Sequence, residues 1–331
     1  MIQLDIISHQ LTIIIGIIMF IFGLIGNILN ICIFTNWSRS RRTAINNNNN
    51  NRTNNSSLYL LVSSIANLIL IIYPLPTRIL FDGYQYQVTQ RDVFILCKFR
   101  YYVMHTCDII SLTCVCMATF DRYLISSRNV RFRHMSTTRQ GTKFIIFLII
   151  FILGLHSIPL IIYYNVSTTG QCIIYFSIYL NYYRYTFQIF FHGIIPIIFF
   201  SLFSFLTFKQ LKTLTTKKIT NNNINIDKQL SRMLFLMSIT IVLSCIPYSI
   251  ESIYYLIFAD SSQKQTSYIL LFHVISSLLF YTNPVCSFYV YYISTSNFRS
   301  QTRKIILCKK DINHFMNNQI RPITISNNLQ Q

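Results

Sequence analysis

Asp121-Arg122-Tyr123 sets an acid, a guanidinium and a phenol side by side at the end of a long apolar stretch. An ionisable group at such a boundary is costly in hydrocarbon and is usually functional there. Asp121 can neutralise Arg122 locally. At about 100° per residue, Met104 and Asp108 fall on roughly the same helical face as Arg122. Asp108 can pair with a cation or form an inter-helix hydrogen bond. Glu251 stands within another apolar stretch, where it can pair with a basic ligand group or sit in water near lipid headgroups. Gln188, His192, Tyr248 and His273 bring further polar groups into such stretches, as ligand contacts or as hydrogen-bonded packing residues. The seven histidines show no metal-ligand spacing, and no nucleophile–base set appears. These residues suit recognition and switching; an enzyme, a metal site and a cofactor are not expected.

Such side chains need helices to hold them. Only 11% of the 331 residues are charged and 52% are hydrophobic, whereas a soluble domain carries about 25% charged residues. Ile, Leu, Phe and Tyr fill seven blocks at about 11–35, 57–80, 96–127, 142–164, 181–208, 229–258 and 266–293. Each is long enough for the roughly 20 apolar residues that cross a bilayer as a helix. A helix also satisfies its backbone hydrogen bonds internally, as lipid demands. The chain therefore reads as an all-α membrane protein, a seven-transmembrane helix bundle over residues 11–293. Pro159, Pro196, Pro247 and Pro284 lie inside blocks and predict kinks in the fourth to seventh helices. The first block has no basic residue before it and exceeds the apolar region of a signal peptide, about 7–15 residues.

The formal charge of +19 does not point to nucleic acid, because Lys and Arg crowd into alternate connections. Arg39, Arg41, Arg42 and Arg52 lie in the first connection, Arg128, Arg131, Arg133, Arg139 and Lys143 in the third. Lys209, Lys212, Lys217, Lys218 and Lys228 lie in the fifth, and six more basic residues in the tail. The positive-inside rule makes that side cytoplasmic, facing anionic lipid of the bilayer. The other side has few basic residues, among them Arg78, Arg91, Lys98 and Arg100. This predicts a short extracellular N-terminus (1–10), a short amphipathic cytoplasmic helix (294–308) and a flexible cytoplasmic tail (309–331). The Asn runs at Asn46–Asn51 and Asn221–Asn223 read as flexible insertions. Asn165-Val166-Ser167, on the outer side, is the plausible glycan acceptor.

Ala118-Thr119-Phe120 leads into Asp121-Arg122-Tyr123, Cys97 lies at the far end of the same helix, and Cys172 stands in the second outer loop. Gly26-Asn27, Pro196, Pro247, Asn283-Pro284 and Phe298-Arg299 follow in order from the first helix to the one after the seventh. This set resembles the rhodopsin-like G-protein-coupled receptors, over residues of about 11 to 300. The resemblance implies a multi-pass plasma-membrane receptor that binds an extracellular ligand and activates a heterotrimeric G protein. It also implies a Cys97–Cys172 disulfide and roles in coupling for Asp121, Arg122, Tyr123, Pro247, Asn283 and Pro284. Asp227 would pair with Arg122 in an inactive-state lock, as in some relatives, or be a solvated acid at a helix start. Cys308, after the basic amphipathic stretch, suits palmitoylation.

Several positions depart from the family pattern. Asn67 replaces an aspartate, which puts the family's sodium site in doubt although Ser111 matches one of its ligands. Cys245 replaces a Trp before Pro247, Ser287 a Tyr after Asn283-Pro284, and Ser204 a Tyr of the fifth helix. The sole Trp is Trp37, so the fourth helix lacks its usual one. Met104 stands where amine receptors have an aspartate, which argues against a monoamine. The second outer loop and the mixed polar pocket candidates Met104, Asp108, Gln188, His192, Tyr248, Glu251 and His273 favour a peptide ligand, as in a neuropeptide receptor. An uncoupled or decoy receptor is the alternative raised by the altered switch positions. A transporter or channel fits less well, since no internal repeat is found.

Overall fold

The computed structural model describes residues 2–46, 55–89, 91–127, 139–167, 170, 172–215, 222–258 and 267–307. Among the described residues, seven helical segments are long and apolar enough to cross a membrane: Gln3–Ser38, Ser56–Gly83, Val93–Ser126, Arg139–Tyr163, Ser177–Thr207, Gln229–Glu251 and Tyr268–Ser294, termed the first to seventh spans. The third is the most enclosed by its neighbours and the fourth the least. Ile14, Phe147, Ile152 and Phe205 are among the large apolar side chains left on the outside of the bundle, where lipid is their natural solvent.

The first helix runs Ile2–Asn46 and so begins well before the apolar block near residue 11. Its early polar residues are absorbed by the helix itself. Ser8 Oγ donates to the Leu4 carbonyl at 2.9 Å, and Thr12 Oγ1 donates to the Ser8 carbonyl at 3.0 Å. Proline shapes the helices unevenly. The fourth span breaks at Ser157, between Arg139–His156 and Ile158–Tyr163, with Pro159 in the first turn of the new piece. A break also occurs in the second span at Tyr73, before Pro74. Ahead of Pro196, the fifth span is wound as a π-helix over Arg184–Ile194. Pro247 and Pro284 lie inside the continuous helices Asn222–Phe258 and Ser267–Ser294. After the seventh span, the helix Ser296–Ile306 buries Phe298 and Thr302 and leaves Arg299, Arg303 and Lys304 exposed.

Between the fourth and fifth spans, strands β1 (Tyr164–Val166) and β2 (Cys172–Ile174) form an antiparallel hairpin with Val166 opposite Cys172. Gly170 in its turn has φ +77°, a conformation that suits glycine. Cys97, at the start of the third span, is disulfide-bonded to Cys172 with Cα atoms 5.7 Å apart. That end of the bundle is called the disulfide end; Asp121-Arg122-Tyr123 lies at the other end of the third span.

Among the described residues, three apolar clusters fill the interior. One, towards Asp121-Arg122-Tyr123, includes Phe34, Leu60, Met233, Met237, Tyr291 and Phe298. A second lies beneath the hairpin around Leu160, Tyr183 and Phe187. The third joins Ile71, Leu75, Tyr281 and Val285 between the second and seventh spans. First and seventh spans approach closely at Gly26, where an added Cβ would stand 3.0 Å from the Phe288 Cβ. Small residues at such crossings let membrane helices pack by van der Waals contact.

Candidate functional site

Towards the disulfide end, polar side chains embedded in the spans bond to one another. Asp108 on the third span pairs with His192 on the fifth, Oδ2 to Nδ1, at 2.7 Å, with both side chains buried. Gln188 Nε2 on the fifth donates to the Tyr248 hydroxyl on the sixth at 3.1 Å. Glu251 on the sixth is bonded to His273 Nδ1 and Ser276 Oγ on the seventh. The Tyr281 hydroxyl on the seventh reaches back to Met104 Sδ on the third at 3.5 Å. These contacts close a belt through the third, fifth, sixth and seventh spans. Asp108 therefore makes the inter-helix bond, and Glu251, 5% exposed, is an interior acid rather than a headgroup-level one.

The second span joins the belt through Arg78. Its Nη2 lies 3.2 Å from His273 Nε2. Arginine has donors only, so Nε2 must be the acceptor and the ring proton sits on Nδ1, facing Glu251. The same Arg78 pairs with Asp82 at 2.9 Å, one turn along. Arg100, at the start of the third span's α-helix, is 4% exposed and lies over the rings of Phe81 and Tyr101, at 4.8 and 5.1 Å. Tyr101 stacks at 4.0 Å on Tyr164 of β1. Burial holds the Tyr164 hydroxyl well above the ordinary phenol range, with Tyr101 adding to the effect. Arg78 and Arg100 read in the sequence as outer-side basic residues; both are instead held inside the bundle, Arg78 by Asp82 and His273 and Arg100 against the rings of Phe81 and Tyr101. The Arg78–Asp82 spacing of four is the signal that marks an ion pair on one helical face.

At the opposite end, Arg122 is 1% exposed. Its Nε donates to Ser56 Oγ at 3.1 Å, and Ser56 Oγ donates to Asp121 Oδ2 at 2.6 Å. One hydroxyl from the second span thus links the acid and the base of the third. Ser56 carries no sequence signal of its own. Tyr123 packs edge-on to Phe203 of the fifth span, ring centroids 5.5 Å apart. Arg139 reaches Ser38, Nη2 to Oγ, at 2.6 Å, tying the fourth span to the end of the first. Asp227 falls in the helix Asn222–Phe258, but its side chain, and Cys308, lie outside the described residues.

Between the two ends runs a line of uncharged polar groups. Ser111 Oγ donates to Asn67 Oδ1 at 2.6 Å, so the 2.8 Å contact from Ser63 to Ser111 has Ser63 as its donor. Asn27 Nδ2 donates to the carbonyls of Gly23 and Pro284, each at 2.8 Å. Asn30 Nδ2 donates to Ser287 Oγ at 3.2 Å. Asn283 is buried, and its Oδ1 has no protein partner among the described residues.

The disulfide from the third span to the hairpin, the buried Asp121-Arg122 and the Asn27–Pro284 bridge occur in one bundle, and residues 26–291 match the family model of the 7 transmembrane receptor (rhodopsin family). The chain belongs to the rhodopsin family. No curated protein matches it. As a rhodopsin-family receptor, it is a multi-pass plasma-membrane protein.

Within this rhodopsin-family bundle the residues do not fit the sodium ion that the family would imply. Asn67 brings no negative charge, its carbonyl oxygen is engaged by Ser111, and Asn283 is likewise neutral. A bare cation among neutral amides inside a span would be uncompensated. Cys245 sits two residues before Pro247 in the sixth span, and Ser204 donates to Ser238 at 3.1 Å where a larger fifth-span side chain was expected. Asn165 is exposed on β1, its Oδ1 accepting from the Val166 amide at 2.9 Å.

Proposed function

We propose that this rhodopsin-family receptor binds an extracellular ligand, a peptide by preference, at the belt near the disulfide end and passes the event to a heterotrimeric G protein at Arg122. The observation that carries the reading is the enclosure of Arg122, 1% exposed and linked through Ser56 to Asp121. A cation so held is stored out of reach and becomes available only when the helices around it part. A ligand that enters between Asp108–His192, Gln188–Tyr248 and Glu251–His273 competes for bonds joining the third, fifth, sixth and seventh spans. It thereby favours a different helix arrangement, and population shifts towards that state. In this reading the disulfide end, with residues 1–10 and Asn165 as a glycan site, faces outward. The helix over 294–308, a palmitoyl group on Cys308 and the tail over 309–331 lie on the cytoplasmic side, where Asp227 locks Arg122 at rest.

Cys245 and Ser287 at switch positions favour a second reading, an uncoupled or decoy receptor. One experiment separates them. A neuropeptide library is screened on cells expressing the chain with a promiscuous G protein, with calcium read beside an Arg122→Ala control. A peptide response that the substitution abolishes, at unchanged surface expression, supports a coupled receptor. Peptide binding without any calcium response supports the decoy.

A further inference from the structure

Arg100 is the buried charged group of the disulfide end that, among the described residues, is left without an oxygen partner. Arg78 has Asp82 and His273, Glu251 has His273 and Ser276, and Asp108 has His192. Arg100 is 4% exposed, makes no ion pair or hydrogen bond among the described residues, and its Nε is fully enclosed with no acceptor. Asp82 is near enough to interact with it electrostatically but spends its contact on Arg78. The rings of Phe81 and Tyr101 stabilise the cation. They do not supply the oxygen acceptors that a guanidinium fork needs, and a buried charge without its partner is strongly unfavourable. The group is also fixed in place, since Tyr101 is clamped beneath Tyr164 of the disulfide-bonded hairpin.

We propose that Arg100 anchors an anionic oxygen group of the ligand, a carboxylate or a phosphate, carried on an apolar or aromatic body that packs against Phe81 and Tyr101. The inference rests on the ligand reading above and deepens it. Two parallel N–H···O bonds from the guanidinium meet such an anion bidentately. The anion supplies the oxygen acceptors that the guanidinium lacks, so its binding raises stability rather than merely occupying space.

The test uses the purified full-length receptor in detergent, with benzoate, phenyl phosphate and the neutral benzamide as probes at matched ionic strength, read by thermal unfolding. Saturating benzoate or phenyl phosphate raises the midpoint by on the order of 3 °C, and benzamide does not. The larger of the two anionic shifts tells carboxylate from phosphate. Arg100→Gln removes the anion-dependent shift, while Arg100→Lys, which keeps the charge without the fork, retains part of it. Equal shifts from benzamide and benzoate, no shift from either anion, or a benzoate shift that survives Arg100→Gln overturns the proposal. If Arg100→Gln does not fold, the comparison of benzoate with benzamide on the native chain decides. This readout involves no G protein. Loss of the anion effect beside an intact peptide response would remove the anchor and leave the receptor function standing, whereas anion binding without any peptide response would do the reverse.

Discussion

The Arg78 guanidinium donates to His273 Nε2 across 3.2 Å, and the opposite nitrogen of the same ring faces Glu251. One neutral imidazole thus serves a cation on the second span and an anion on the sixth. Its removal leaves both with fewer partners, Asp82 for Arg78 and Ser276 for Glu251. His273→Phe is expected to lower stability by about 1–3 kcal/mol, since an unmet buried polar group costs that much. Adding Glu251→Gln recovers part of the loss, because an amide carries no charge to strand. Thermal unfolding of the single and double variants checks this; strictly additive losses would show that the two residues do not act as a unit.

Ser56 is the hinge pin between Asp121 and Arg122. Hydrogen bonds to charged groups are worth about 1.5–3 kcal/mol, so Ser56→Ala loosens the enclosure of Arg122 while Ser56→Thr keeps the hydroxyl. Under the proposed coupling, ligand-free nucleotide exchange rises roughly tenfold in the alanine variant and changes little in the threonine one. Exchange measured on reconstituted receptor and G protein reads this directly, and an unchanged basal rate in Ser56→Ala counts against the role given to the bridge.

The Asn67 site should be indifferent to sodium. Replacing sodium chloride by an organic chloride salt at equal ionic strength leaves the unfolding midpoint of the native chain unchanged. Asn67→Asp restores a charge beside Ser111 and makes the midpoint rise with sodium, since an ion that binds only the folded state stabilises it. Sodium dependence in the native chain would contradict the amide reading.

Cys97 and Cys172 are 75 residues apart, and their bond closes a loop of that length. A cross-link of this span contributes roughly 4 kcal/mol by restricting the unfolded chain. Cys97→Ser, Cys172→Ser and the double variant should therefore lose surface expression and thermal stability to the same extent. A double variant clearly worse than either single one would mean that the thiols contribute separately.

The Cys97–Cys172 bond is foreseen only through the resemblance to rhodopsin-like receptors, while the seven spans are legible in the sequence itself because long apolar blocks leave local marks. The pairings are not. Whether Glu251 meets His273 or lipid headgroups depends on how the sixth and seventh helices are rotated about their axes, which a single strand of sequence does not encode locally. Arg78 and Arg100 read as outer-side basic residues because a charge near the end of an apolar block ordinarily sits among lipid headgroups, whereas Asp82 and two aromatic rings hold these two within the bundle. The start of the first helix is hidden in a similar way, since Ser8 and Thr12 look polar yet bond back to their own helix. Ser56, one serine among many, acquires meaning only from the third span beside it.

Asn27 donates to a carbonyl of its own helix and to that of Pro284, and Gly26 lets the two backbones lie against Phe288 without intervening bulk. Mechanically, this welds the first and seventh spans into a single strut. The fifth and sixth meet through side-chain bonds such as Gln188–Tyr248 and Ser204–Ser238, and at Gly193 an added Cβ would stand 2.7 Å from Ser249 Oγ. The first and seventh spans are thus tied from side chain to backbone and the fifth and sixth from side chain to side chain, a bond that a change of rotamer alone can release.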